Sequence, residues 1–458
     1  LIGIFLMLAV FSMLQAQDME RSIRKILVFL SIFPLYFILT SFSNRIRIGY
    51  CLASPAANGS NVVENKNNFI LKIIKMSVIG GLIISLIGIV QFALQFIFGI
   101  DLVIEFWSKY VAFIFYGETF GAEVLSNPSW LVNVSGATVL RVISLFPDPH
   151  MLSFYLGFII PIVLSLVLFE KKYDGCHSEL SSKSVVDKGL NSFQFLKQVI
   201  WKIVRYCGYR KRILNQVQNN KNIIKKKQNG YFFLNSKILH IVLFVMLLTE
   251  LLTFSRGGYI GMIVGISTLI ILGWKYLSDF KRGSLGIFFS MFVFIALVTN
   301  QSVVSRFLSS FNISEGSNIE RIKNWQQGWE VFSNNIWTGV GIGNYSIYLY
   351  PTIEYRTPVY AHNLYLDIGA EMGVLALIAW LLLIGVTMWQ LYRFSRKTRD
   401  NFQRAISLGL IGSLTWFSVH SIFDTPIYSP TILAIFVIVL SLSVMILTEA
   451  KTCEKSDY

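Results

Sequence analysis

The sequence predicts an all-α, polytopic helical membrane protein, and three observations carry that prediction. Of 458 residues, 54% are hydrophobic and only 14% are charged, whereas a soluble globular chain carries about 25% charge. Mean hydropathy is +0.58. Apolar runs long enough to cross roughly 30 Å of hydrocarbon recur along the chain, and the short alternating segments of a membrane barrel are not seen.

Judged by apolar length, about ten spans are expected. They lie near 1–17, 26–43, 70–99, 151–169, 238–254, 257–274, 284–299, 372–392, 405–421 and 428–447. The first is short, and the chain begins at Leu1 rather than Met, which suggests a truncated N-terminal region.

Charge sets the expected orientation. The net charge is +15, which in a membrane chain reads as basic inner loops rather than nucleic-acid binding. Residues 170–237, with "YRKR" and "KKK", form the most basic loop and belong inside. Counting outward from it, 44–69, 275–283, 393–404 and the tail also face inward, with Arg45, Arg47, Lys66, Lys281, Arg282, Arg393, Arg396, Lys397 and Arg399. Cys51, Cys176, Cys207 and Cys453 then lie inside, where disulfides are not expected. The loops 100–150, 255–257, 300–371 and 422–427 face outward. The basic stretch "MERSIRK" (19–25) dissents, since it would also face outward.

Several chemistries lack their motifs. There is no GxxxxGK[ST] loop for an ATP-driven pump, and no HExxH or paired CxxC for zinc. No cofactor and no metal site are implied. "GVGIGN" (339–344) follows no βαβ pattern and reads as a tight turn rather than a nucleotide loop.

The candidates for chemistry lie on the outward side. Arg141 opens "RVISLFPDPH", Arg256 sits in "TFSRGGYIG" at a tight hairpin tip, and Arg321 lies in the large loop with Arg306 and Arg356. A guanidinium at the border can simply snorkel to headgroups. Fixed in place, its fork suits a phosphate. His362 opens "AHNLYLDIGAEMG" (361–373). On a helix it would share a face with Tyr365, Leu366, Gly369 and Gly373. The glycines would allow close approach of another helix and aim the imidazole into a protein-lined cavity, where it could take a hydroxyl proton. Asp367 and Glu371 read as a solvated or interfacial face. His150 and His420 read as structural. Glu250, an acid within a span, needs a partner, and Arg256 is the one expected.

"TFSRGGYIGMIVGI", "ERIKNWQQGWEVFSNNIWTGVGIGNY" and "YAHNLYLDIGAEMGVLALIAWLLLIGV" together resemble the C-terminal core of the O-antigen ligase and polysaccharide polymerase superfamily. "RVISLFPDPHMLSFYL" is similar to the stretch preceding that core, with "FPDPH" in place of the more usual "hPN". The resemblance covers roughly 140–395, interrupted by the basic loop. It divides the chain into an N-terminal transmembrane region at 1–140, the core at 141–395, and a C-terminal hairpin with tail at 396–458.

The resemblance implies an inverting, metal-independent glycosyltransferase of GT-C-like fold at the outer face of the bacterial inner membrane. Its donor would be a glycan on undecaprenyl pyrophosphate. The family's roles fall on His362 as catalytic base and on Arg256, Arg321 and Arg141 as pyrophosphate ligands; Glu250, Asn363, Gly343 and Asn344 are expected as supporting residues. Divergent flanks and the long inserted loop favour a polymerase of repeat units, with a chain-length regulator as a candidate partner. The alternative acceptor is lipid A-core, the ligase case. A transporter or flippase is the alternative of another class, but no internal repeat of that kind is seen.

Overall fold

The computed structural model describes residues 1–53, 59–112, 114, 128–134, 136–169, 236–278, 281–282, 316–353 and 359–453. The expected span at 284–299, Arg306, Arg356 and nearly all of the basic loop lie outside the described residues. Contacts group Leu1–Glu170 with His240–Tyr458 as one unit and Lys171–Leu239 as another.

The described chain is helical, as expected. Its helices are α1 (Ile2–Ser12), α2 (Met19–Ile32), α3 (Pro34–Ala53), α4 (Gly59–Phe98), α5 (Ile100–Phe106), α6 (Pro149–Phe169), α7 (Ser236–Leu252), α8 (Arg256–Gly273), α9 (Gly316–Asn334), α10 (Tyr345–Leu349), α11 (Leu364–Lys397), α12 (Asn401–His420) and α13 (Pro430–Cys453). Among the described residues, 6 helical stretches are long and apolar enough to cross a membrane. They are Met19–Ser43, Asn68–Phe98, Pro149–Phe169, Arg256–Tyr276, Leu364–Lys397 and Pro430–Thr448. Within the expected span at 1–17 lies an 11-residue helix, α1, shorter than these six. Leu375, Ile378, Leu381, Leu382 and Val386 stand exposed along α11. Such a face is unfavourable in water and ordinary against lipid tails.

At the centre, α12 packs on α6, α8 and α11. Small residues permit the approach. A Cβ on Gly157 or Gly261 would fall 2.7 or 2.6 Å from the buried Trp416 ring, and one on Gly265 would meet the Gly412 carbonyl at 2.8 Å. The Trp416 indole therefore fills the gap that glycines on two helices leave.

One element departs from the all-α expectation. Leu131–Val134 (β1) and Ala137–Leu140 (β2) form an antiparallel hairpin with Leu131 opposite Leu140. Gly136 leads into β2 at φ +88°, a geometry that glycine reaches without strain. Two buried glutamines one turn apart on α4 then act as surrogate strand. Gln95 accepts from Leu140 N at 2.8 Å and donates to Leu140 O at 3.1 Å. Gln91 accepts from Ile143 N and Ser144 N at 3.0 and 2.9 Å. They fix the backbone on either side of Arg141.

The dissenting basic stretch 19–25 is explained by pairing. Arg21 Nε lies 3.0 Å from Asp18 Oδ2, and Lys25 Nζ lies 3.2 Å from Glu371 Oε1. Arg24 pairs with Glu20. These charges serve local ion pairs, so they carry little information about orientation.

The helix α11 breaks at Gly373, where φ is +79° and ψ 175°. A Cβ there would lie 2.3 Å from Trp337 O. The break frees carbonyls, and the glycine loop takes them: Val340 N donates to Ala370 O at 2.8 Å and Gly341 N to Glu371 O at 3.0 Å. Beyond it, Asn344 accepts from Asp18 N at 2.7 Å and donates to Ser22 Oγ at 2.8 Å. A Cβ on Gly343 would press on Arg21 O at 3.1 Å. "GVGIGN" is thus the expected turn. It seals the α11 break and seats the α1–α2 corner, which gives Gly343 and Asn344 a structural role.

Candidate active site

Three helices begin at one place. Asp148 caps α6, accepting from His150 N at 2.7 Å and Met151 N at 2.9 Å, with Pro149 at the first helical position. Ser255 caps α8, accepting from Gly258 N at 3.2 Å. Asn363 caps α11, accepting from Tyr365 N and Leu366 N at 3.0 and 3.2 Å. Cap residues of these types satisfy otherwise orphaned N–H groups. Their alignment turns the positive ends of helix dipoles toward one region.

His362 stands just ahead of the α11 cap, not on the helix as the face argument has it. Its φ is +51°. The other non-glycine residues at positive φ among the described residues are Ser144 and Phe254, close in sequence to Arg141 and Arg256. Left-handed backbone in such residues is costly and collects at functional sites.

The His362 ring meets Asp424, from the turn between α12 and α13, at 3.4 Å from Nδ1 to Oδ1. The carboxylate fixes the tautomer, with Nδ1 as donor and Nε2 as the basic nitrogen. The imidazole is exposed while Asp424 is mostly covered. The hydrogen bond to Asp424 raises the His362 pKa above the usual histidine value, against the partial desolvation of the ring, which lowers it. For Asp424, burial works upward, but the bond and charge of His362, the charge of His150 and the Thr425 N–H outweigh it. They hold the carboxyl well below its usual range.

Arg321 and Trp325 lie one helical turn apart on α9, and Trp325 faces Phe423, centroids 6.2 Å apart. Burial lowers the Arg321 pKa, Asp424 opposes that, and the charge of Arg256 adds to it. Arg256 is buried at the first position of α8. A cation there opposes the helix dipole, and such a local conflict marks a functional position. Arg141 is buried too, its Nε donating to Thr253 O at 2.7 Å and its Nη1 to Ser129 O at 2.8 Å.

The histidines read as structural join the same network. His150 Nδ1 lies 2.9 Å from Ser255 Oγ, which lies 3.4 Å from His420 Nε2. His420 stacks on Phe154 at 3.7 Å. Arg141, Arg321, Asp424 and His420 all act electrostatically on His150. Burial, with the charge of Asp424, raises Asp148 to about 6. The structure therefore brings His362, Arg321, Arg256 and Arg141 into one charged region and adds Asp424, Asp148, His150 and His420.

Two expectations are corrected. Glu250 is buried, and its Oε1 accepts from Ser153 Oγ at 2.6 Å; the expected partner, Arg256, is not the one it takes. A Cβ on Gly258 would collide with this pair, which is one reason "RGG" needs its glycine. Asp367 and Glu371 are not solvated: they are 0% and 1% exposed. Asp367 accepts from Ala361 N at 2.8 Å and from Thr425 Oγ1. Glu371 takes Lys25 and the Tyr428 hydroxyl. Burial follows because α9, α13 and the 421–428 turn close over α11.

Fold and site together define a multi-pass helical membrane protein with a histidine–carboxylate pair set among buried arginines. Residues 241–381 match the family described as O-antigen ligase. The matched segment contains Arg256, Arg321 and His362 and ends before Asp424. Among curated proteins, the teichuronic acid biosynthesis protein TuaE of Bacillus subtilis (strain 168) is 26% identical over 211 residues. That alignment covers 44% of this chain and 42% of the relative.

Proposed function

We propose that the protein transfers a glycan from undecaprenyl pyrophosphate to a sugar hydroxyl at the outer face of the inner membrane, polymerising repeat units of a surface polysaccharide. The observation that carries this reading is the His362–Asp424 pair standing among Arg256, Arg321 and Arg141. Helix N-termini with arginines suit a pyrophosphate, and a carboxylate-oriented imidazole suits proton abstraction. The relative's printed role in teichuronic acid biosynthesis favours polymer building over attachment to lipid A-core.

In this mechanism, His362 Nε2 takes the acceptor hydroxyl proton as the oxygen attacks the anomeric carbon from the face opposite the leaving group. The carbon–oxygen bond to the pyrophosphate breaks, undecaprenyl pyrophosphate leaves with the electron pair, and the configuration inverts. Asp424 stabilises the imidazolium. The arginines meet the charge that grows on the leaving oxygen, as preorganised donors do without a metal. About ten spans in a GT-C-like arrangement, divided at 141 and 395, with the 300–371 segment outside, complete the reading.

Purified full-length protein is to be mixed with undecaprenyl-pyrophosphate-linked repeat units extracted from a strain lacking the gene. Release of undecaprenyl pyrophosphate with lengthening glycans is expected; no release from folded protein returns the chain to the transporter class. A general base supplies about 10²–10⁴-fold in rate, so His362→Ala is expected to be at least about a hundredfold slower. In the deletion strain, single repeat units attached to the acceptor mark a polymerase. Unattached long chains stranded on carrier lipid mark a ligase.

A further inference from the structure

We propose that Asp367 is a positioning residue that sets His362 against Asp424; this rests on the reading of His362 as base. The pair is built from two chain segments, 361–364 and 421–425, and Asp367 grips both. Its Oδ1 accepts from the N–H of Ala361, the residue before His362, at 2.8 Å. Its Oδ2 accepts from the hydroxyl of Thr425, the residue after Asp424. A third tie, Leu364 N to Ser421 O at 2.9 Å, closes the same seam. Asp367 is 0% exposed, Ala361 0% and Thr425 6%, so water does not compete for these bonds. Asp424 in turn accepts from the Thr425 N–H at 2.8 Å, so Thr425 is held by its N–H and by its hydroxyl.

The need for such a clamp lies in the backbone. His362 holds φ +51°, a conformation that persists only where the surroundings enforce it. Nothing covalent fixes the 421–425 turn to the 361–364 segment. Without Asp367, the His362–Asp424 contact rests on its own 3.4 Å bond, on Leu364–Ser421 and on the Tyr365 hydroxyl donating to Ser418 O at 2.7 Å. Besides Asp424, the charged groups acting on His362 are Asp367 and Arg321.

The test uses the full chain and the lipid-linked repeat units named above, and reads kcat, KM and the pH profile. Thr425→Val keeps the volume and removes only the hydroxyl bridge. It is expected to lower kcat roughly three- to tenfold, the worth of one such bond, with KM unchanged. Its acidic limb should move to lower pH, because a loosened Asp424 no longer raises His362. Thr425→Ser, which restores the hydroxyl, should restore rate and limb together. Asp367→Ala should show the same shift, and the double variant Asp367→Ala/Thr425→Val should be no slower than Asp367→Ala alone. Simple loss of packing would lower the yield of folded protein without moving the limb. A Thr425→Val protein with wild-type rate and limb, beside an inactive His362→Ala, overturns the clamp alone. An active His362→Ala overturns the base reading itself.

Discussion

Asp424 stands 62 residues beyond His362 in sequence, yet its Oδ1 lies 3.4 Å from the His362 Nδ1. The pairing decides which ring nitrogen is free to act and how strongly it holds a proton. The His362 pKa is raised, first by this bond. If His362 is the base proposed above, it works in its neutral form, so activity should climb with pH through the raised value. Asp424→Asn keeps the shape and removes the charge. His362 then titrates lower, so the acidic limb of kcat is expected at lower pH than in the wild type. The plateau should fall roughly ten- to a hundredfold, part of the 10²–10⁴ that a positioned base supplies. A limb that stays put would separate Asp424 from the reacting histidine.

Arg256 tests the proposed pyrophosphate site. It is buried at the first turn of α8, with His420 and Phe423 crowding Gly257 behind it. Lysine keeps the charge but loses the planar fork that binds two phosphate oxygens at once. Arg256→Lys is therefore expected to reduce kcat/KM for the lipid-linked donor by at least about tenfold, the value of one lost charge-assisted bond. Wild-type kcat/KM in Arg256→Lys would return this arginine to a headgroup contact.

What the sequence made legible follows from which forces are local. Apolar run length marked the six long apolar helices among the described residues, because crossing lipid demands about 20 apolar residues whatever packs beside them. His362, Arg256 and Arg321 stood out because polar groups at a membrane border are few. Asp424 did not stand out: "FDTP" is an unremarkable turn until α12 and α11 bring it to His362. Asp367 and Glu371 looked solvated because helical spacing says nothing about the turn that later covers them. Gln91 and Gln95 carry a signal in the sequence itself, two amides one turn apart in the apolar run "VQFALQF". Amides inside a span need partners, and here they take the backbone that carries Arg141.

That glutamine pair has a stability consequence. Gln95 satisfies both the N–H and the C=O of Leu140. Gln95→Leu would leave both orphaned, at about 1–3 kcal/mol for each group not rescued by water. A melting temperature several degrees lower in detergent is expected, together with a higher KM for the donor, since Arg141 follows directly. Unchanged melting would show that the hairpin holds this backbone unaided.

The Lys25–Glu371 pair calls for a double substitution. Lys25 Nζ lies 3.2 and 3.4 Å from the two Glu371 oxygens and 3.4 Å from the centre of the Tyr428 ring. The Lys25 side chain is 18% exposed and that of Glu371 only 2%. Removing the lysine strands a buried carboxylate that keeps the Tyr428 hydroxyl. Breaking a buried pair costs about 3–5 kcal/mol, and the partial exposure of Lys25 argues for the lower end. Glu371→Gln in the Lys25→Met background removes the stranded charge while its amide oxygen still accepts from Tyr428. The double variant should therefore melt well above Lys25→Met and close to the wild type. Thermal unfolding of both variants in the same detergent decides it: if Glu371→Gln recovers nothing, the cost of Lys25→Met lies in lost ring packing on Tyr428 rather than in a buried charge.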